Sequence, residues 1–476
     1  MPIKKIPLFG SSIEALSAVV SAQTRINCFY EARQDEEKTN LIVRPTPGLT
    51  LFSTLAFTVR GLYTVGLTLY AVAGPNLYSI NSLGIVTYIA AMNPSISLIV
   101  GMAWNGTQLI IVNGTAGYIY TPSTNVLASI TSANFPNGCS SVVYIDGYFL
   151  VNVAGTQQFY KSSLYDGTTW AALDFASAES NPDNVVAIDN MNSTLVLWGS
   201  SSIEFWQDTG GFPFPFSRLN GATSQWGLAA LWSRAFVGGA ICFLAQNSQG
   251  SAQVMMLNGY SPTRISTTDI EHLILGMSMI SDAVAYSYMI DGSIMYQLTF
   301  PNANKSLLWD SATKMWSVVQ SGVNPSGNRH NTTLGISFSS NYYVTDYLNG
   351  NLYKLDQTNY TDNGNTVLRQ ITSRHIENDG SYFGISEILL DMDTGNVPQL
   401  GQGSDPKLMI SVSKDNGRTF GAERLVSIGK VGQYLYVGKA TRFGIARDFV
   451  FKIRCTDPVP FIITYASAVT SMGTNK

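Results

Sequence analysis

Along residues 51–356 apolar and polar side chains alternate with the period of a β-strand, and no long helical period interrupts them. Short runs such as LYSI, TQLIIV, YFLV, TLVLWG, SIMYQL and NLYKL are each introduced by a turn. The turns are Ala73-Gly74-Pro75-Asn76, Asn105-Gly106, Asp146-Gly147, Asp189-Asn190, Asp291-Gly292 and Asn349-Gly350, with a seventh at Gln249-Gly250. Asn-Gly and Asp-Gly between alternating runs mark hairpins, because both residues accept positive φ. The turns recur roughly every 30 to 45 residues, close to the span of a four-stranded propeller blade. The pattern predicts an all-β chain whose residues 51–360 form a β-propeller of six or seven blades.

The flanking regions read differently. Residues 1–50 are expected to be an irregular, extended N-terminal segment, with a solvated charged patch at Gln34, Asp35, Glu36, Glu37 and Lys38, closed by Arg44-Pro45-Thr46-Pro47-Gly48. A polar linker, 357–365, leads to a second β domain of sandwich type at 366–466, and 467–476 reads as a loose tail. The second domain holds Ser413-Lys414-Asp415-Asn416-Gly417-Arg418-Thr419-Phe420, the spacing S-x-D-x-G-x-T-F of an Asp box. In such a turn Asp415 accepts backbone N–H bonds, Gly417 takes positive φ and Phe420 anchors the hairpin from below, a structural rather than catalytic arrangement.

Charge is unevenly spread. Charged residues make up 12% of the chain, about half the usual share of roughly 25%. A surface of neutral polar and aromatic groups suits a subunit covered in an assembly. Residues 414–454 nevertheless hold nine Lys/Arg against three acids, leaving 19 basic and 28 acidic residues elsewhere. Arg418, Arg424, Lys430, Lys439, Arg442, Arg447, Lys452 and Arg454 are therefore candidates for contact with an acidic partner or with DNA, beside the plain alternative of a solvated face. The loop Phe212-Pro213-Phe214-Pro215-Phe216 cannot be a central strand. Its three rings either fold back on their own blade or meet another subunit.

Catalytic chemistry finds no assembled motif. His272, His330 and His375 stand alone, with no metal-binding spacing. Neither a phosphate-binding loop nor a nucleophile elbow occurs. Asp391-Met392-Asp393-Thr394-Gly395 lacks the ligands of a calcium loop. Cys28, Cys139, Cys242 and Cys455 are far apart and suggest neither disulfides nor zinc, so synthesis in a reducing compartment is expected. No cofactor, no metal and no membrane-spanning segment is expected; the stretch 13–22 behind Lys4 and Lys5 is too short and carries Glu14. The competing class is a carbohydrate-binding or glycoside-hydrolysing propeller, in which Trp198, Trp206, Trp226 and Trp232 would supply stacking rings.

Five pieces in order carry a resemblance to a known family: Met1-Pro2-Ile3; Pro47-Gly48-Leu49-Thr50; Gly199-Ser200-Ser201-Ser202-Ile203-Glu204-Phe205-Trp206; Asp415-Asn416-Gly417-Arg418-Thr419-Phe420-Gly421-Ala422-Glu423; and Arg442-Phe443-Gly444-Ile445-Ala446-Arg447 followed by Phe451-Lys452-Ile453-Arg454. In these the chain resembles the packaged-DNA stabilisation proteins of short-tailed bacteriophages, the tail hub or nozzle subunits. The resemblance implies a non-enzymatic virion protein, made in the host cytoplasm, with six copies in a ring below the portal and its adaptor. Such a homohexamer would continue the channel for double-stranded DNA, without sequence-specific binding, and serve genome packaging and DNA ejection. It would also carry tail fibres, spikes or a needle. On that footing the basic stretch would dock on the adaptor or touch DNA at the channel entrance, and the propeller would point outward.

Overall fold

The computed structural model describes residues 3–8, 10, 13, 15–33, 40–92, 98–324 and 327–472. The charged patch expected at 34–38 lies outside them, as do Met1, Pro2 and Glu14. Seven four- or five-stranded antiparallel units follow one another around a ring, at 59–91, 101–129, 142–177, 185–224, 227–264, 284–319 and 332–356. The blade count is thus seven, and each expected turn belongs to a different blade. One is displaced: Asp189 and Asn190 lie inside a strand, and the turn falls at Asn192 and Ser193, with φ of 52° and 62°. A short helix, α1 (Thr268–Leu275), capped by Thr267, follows the fifth blade.

The blades owe their stability to central strands buried on both faces. Leu109–Val112 is buried at every position, whereas the outermost strand of the same blade, Val126–Ser129, is largely exposed. The first therefore reads as a continuous apolar run, and the second does not.

The N-terminal segment is not irregular. It supplies β1 (Ile3–Ile6), β2 (Arg25–Ile26), β3 (Cys28–Ala32), β4 (Leu41–Pro45) and β5 (Gly48–Thr54). β5 is the fourth strand of the seventh blade, pairing Leu49 with Leu355 and Thr50 with Lys354, and so closes the ring. The segment 357–365 is pinned beside it: Gly48 and Leu49 N–H groups donate to Asn359 and Thr361 carbonyls at 3.0 and 2.9 Å.

The remaining strands are β6 (Arg369–Thr372), β7 (Ile376–Glu377), β8 (Phe383–Met392), β9 (Lys407–Ser413), β10 (Arg424–Ser427), β11 (Gly438–Ala446), β12 (Asp448–Cys455) and β13 (Ile463–Met472). They form a sandwich with the N-terminal strands. One sheet runs β3-β4-β13-β8-β11, with β1 also on β13. Residues 467–472, expected to be a loose tail, are thereby strand. The other sheet runs β2-β6-β12-β9-β10, with β7 on β12. Between them lies an aromatic and aliphatic core, with Phe383 edge-on to Phe449 at 5.1 Å and Phe443 edge-on to Phe451 at 5.0 Å.

The two domains share hydrogen-bonded backbone. β2 pairs in parallel with the sixth blade, Ile26 beside Val318, and antiparallel with β6, Ile26 beside Gln370. Blade six and one sandwich sheet are therefore a single ten-stranded sheet. Asn27, with φ of 51°, locks the junction: its amide donates to Gln320 and Leu368 carbonyls at 2.9 and 2.8 Å and accepts from Gln320 N–H at 2.9 Å. Buried Arg25 donates to the carbonyls of Gly10 and Trp316.

Candidate assembly surface

The Asp box forms the turn that follows β9. Asp415 accepts bonds from Ser413 Oγ at 2.6 Å, Thr419 N–H at 2.9 Å and Thr419 Oγ1 at 2.5 Å. The Ser413 hydroxyl, then Thr419, hold its carboxyl down at about 2. Asn416 and Gly417 take φ of 58° and 79°. A Cβ on Gly417 would lie 2.3 Å from Ala22 Cβ, so the turn seats the N-terminal segment. His375 fixes the same segment, its ring reaching Ala18 O at 2.9 Å and Asp448 Oδ2 at 2.8 Å. Phe420 is only half-buried, with the Lys452 ammonium 3.7 Å from its ring centre.

The structure divides the eight basic candidates. Arg424 donates to the carbonyls of Thr441 and Arg442 at 2.8 and 2.9 Å, tying β10 to β11. Lys439 pairs with Glu387 at 2.7 Å, Lys430 with Asp405 at 4.0 Å, and Arg454 with Glu423. Arg447 lies over the Tyr382 ring at 4.7 Å, and Arg442 is exposed with φ of 68°. Arg418 and Lys452 stand apart, lining a cleft against the N-terminal segment. Much of the local positive charge is thus spent within the chain, which weakens it as a continuous basic field.

A contiguous apolar surface lies beside these cations. β10 and β11 each end a sheet, and the loop between them exposes Val431, Tyr434, Leu435, Tyr436 and Val437, Leu435 at 97%. The loop is held in place by bonds from Gly432 N–H to Gly395 O at 3.2 Å and from Thr394 Oγ1 to Gln433 O at 2.9 Å. Leu425 on β10 and Ile445 on β11 are exposed as well. Sheet edges flanked by a fixed apolar run are typical docking features. The sequence carried a signal here, Tyr434-Leu435-Tyr436-Val437 without alternation, but counting charges passed over it.

The Phe loop closes partly on its own propeller. Phe216 is buried, Phe214 packs edge-on to Phe159 at 5.6 Å in the third blade, and Phe212 alone is 98% exposed. Two of the four candidate tryptophans serve packing. Trp198 is fully buried against Phe243 at 4.6 Å, and Trp206 lies edge-on to Phe159 at 5.1 Å. The stretch around Ser201 serves blade packing: Asp183 accepts from Ser201 and Ser202 N–H at 2.7 and 3.0 Å, and buried Glu204 accepts from Ser180 N–H at 2.6 Å and Trp206 Nε1 at 3.1 Å. Among the described residues no group of His, Cys, Asp and Glu is arranged to hold a metal ion, and no helix is long and apolar enough to cross a membrane. The four cysteines are free and buried, and burial pushes their thiols up to about 11 for Cys455 and about 12 for the others.

A seven-bladed propeller fused through shared backbone to a β-sandwich defines a two-domain, all-β class of protein. The profile of the bacteriophage P22 Gp10 β-propeller matches residues 5–360, and that of the bacteriophage P22 Gp10 β-sandwich matches residues 368–471. The chain belongs to this family of tail hub, or nozzle, proteins of short-tailed phages, and is a structural protein of the virion. Comparison with curated proteins gives no match. Similar solved structures are a virginiamycin B lyase from Staphylococcus aureus (10% identity, 63% of this chain and 97% of that one, TM-score 0.43) and the Neurospora crassa Pan2 WD40 domain (9%, 68% and 97%, 0.43).

Proposed function

We propose that the chain is the repeating subunit of a tail ring, six copies strong, that continues the portal–adaptor channel, retains packaged DNA and releases it at ejection. The observation that carries this reading is the fixed apolar edge at 431–437, on a sandwich whose family is a phage tail structure. An exposed leucine and two tyrosines on a hydrogen-bonded loop are favourable only when a partner covers them. In this reading the sandwich edge meets a neighbouring subunit or the adaptor. The propeller, with exposed Phe212, faces outward toward fibres, spikes or a needle. At ejection DNA would slide past a surface with few free cations, which avoids the drag that phosphate binding would impose.

The test is the particle mass of the purified protein, alone and mixed with purified portal–adaptor complex. Six copies joining that complex support the reading. A chain that stays monomeric and ignores the complex overturns it.

A further inference from the structure

The cleft beside the Asp box has a character unlike the apolar edge. It encloses about 370 Å³ between residues 15–26 and the faces of β6 and β12. Its polar lining is Ser21, Gln23, Thr24, Gln370, Thr372, Arg418 and Lys452, and none of the described lining residues is acidic; the Ser21 hydroxyl accepts from Gln23 N–H at 3.3 Å. Gln370 Nε2 donates to Thr24 Oγ1 at 2.8 Å, and the Thr24 and Thr372 hydroxyls share a bond of 2.8 Å, so these three are satisfied. Gln23, Arg418 and Lys452 are not. Gln23 is 3% exposed, and its Nε2 has no hydrogen-bond partner among the described residues. Lys452 is half-buried against Phe420 with no ion pair among the described residues, and burial lowers its pKa from the ordinary lysine value. Arg418 reaches the cleft from the turn and has no ion pair among the described residues.

An unpaired buried amide is costly, and so is a desolvated ammonium without a counter-charge. Both costs vanish if an anion bearing several acceptor oxygens sits between them. Donors of three kinds, from the N-terminal segment, the Asp-box turn and β12, suit a tetrahedral oxyanion better than a planar carboxylate. We propose that this cleft is a binding site for a phosphoryl group, held by Lys452, Arg418 and Gln23. The chemistry is the same for free phosphate and for a phosphodiester. Because its walls come from both ends of the chain, an occupied site would also fasten the N-terminal segment to the sandwich.

The experiment uses the full chain and inorganic phosphate, titrated calorimetrically at constant ionic strength with chloride, with acetate in parallel. Phosphate is expected to bind, and Lys452→Met and Arg418→Gln each to weaken it about tenfold or more, the loss of one charge-assisted bond. Gln23→Met is the control for a merely structural role: it removes an unpaired donor, so it should weaken phosphate binding without lowering the melting temperature. A short DNA duplex that competes with phosphate identifies a phosphodiester as the source, and one that does not identifies free phosphate. No binding of phosphate, equal binding of acetate, or unchanged binding in Lys452→Met overturns the site.

Discussion

In the propeller neighbouring blades pack on one another around the ring, and β5 completes the last blade from the N-terminal part of the chain. In the sandwich, β10 and β11 each end a sheet, and the loop between them turns five apolar residues outward. Both are antiparallel β domains in one chain of low charge. One packs separate blades into a ring that leaves only short edges, and the other sets its edge strands beside a fixed apolar loop. The difference teaches where to look for assembly, because the propeller's exposed apolar residues are dispersed over many blades, whereas five of the sandwich's lie together on one loop.

The comparison breaks most sharply at Leu435. Leu435→Asp is expected to abolish joining to the portal–adaptor complex, measured as particle mass, while unfolding stability changes by less than about 0.5 kcal/mol, as for an exposed position. If assembly survives, the edge is not the docking surface. The junction comes next. Asn27→Ala strands two carbonyls and an N–H, and should cost about 2–4 kcal/mol in urea unfolding of the whole chain. A loss below that range would mean that the two domains are held chiefly by other contacts. A smaller effect falls on the clasp. A Cβ on Gly350 would come within 2.0 Å of Leu55 O, so Gly350→Ala should cost about 1–3 kcal/mol and raise hydrogen exchange in β5. Exchange unchanged there would show that β5 shifts without loosening.

The smallest effect is one of pH. The Asp415 carboxyl lies at about 2 in the folded chain against 3.8 ordinarily, so its contribution is fully present above about 4 and is lost as pH falls toward 2. The gap in melting temperature between wild type and Asp415→Asn should therefore shrink over that window. A gap that is constant with pH would mean that the carboxylate's charge is irrelevant to the turn.

The propeller was legible because its turns use residues that tolerate positive φ, and Asp146, Gly147, Asp291 and Gly292 all adopt it. The turn at Asn192 and Ser193 was misplaced by a few residues because Asp189-Asn190 has the same chemistry, and only strand pairing chooses between them. The N-terminal strands were not legible. β2 is two residues long and owes its existence to neighbours distant in sequence, Val318 and Gln370. The candidate surface was half legible for the same kind of reason. Sequence gives the number of cations in 414–454 but not that Glu387, Asp405 and Glu423 answer three of them. It gives the apolar letters of 431–437 but not their exposure.

The pairing of β1 with β13, Ile6 beside Ala466 and Lys5 beside Ser467, has a consequence for synthesis. A chain emerging from the ribosome can close its propeller once residue 356 is made, because β5 and its partner are both available. The sandwich cannot do the same. β1 and β4 must wait for β13, far downstream in the chain, before their sheet has a middle. A chain cut short before Ile463 would carry a finished propeller and no proper edge beside it. The propeller of a growing chain can thus form well before the sheet that carries β11 is complete.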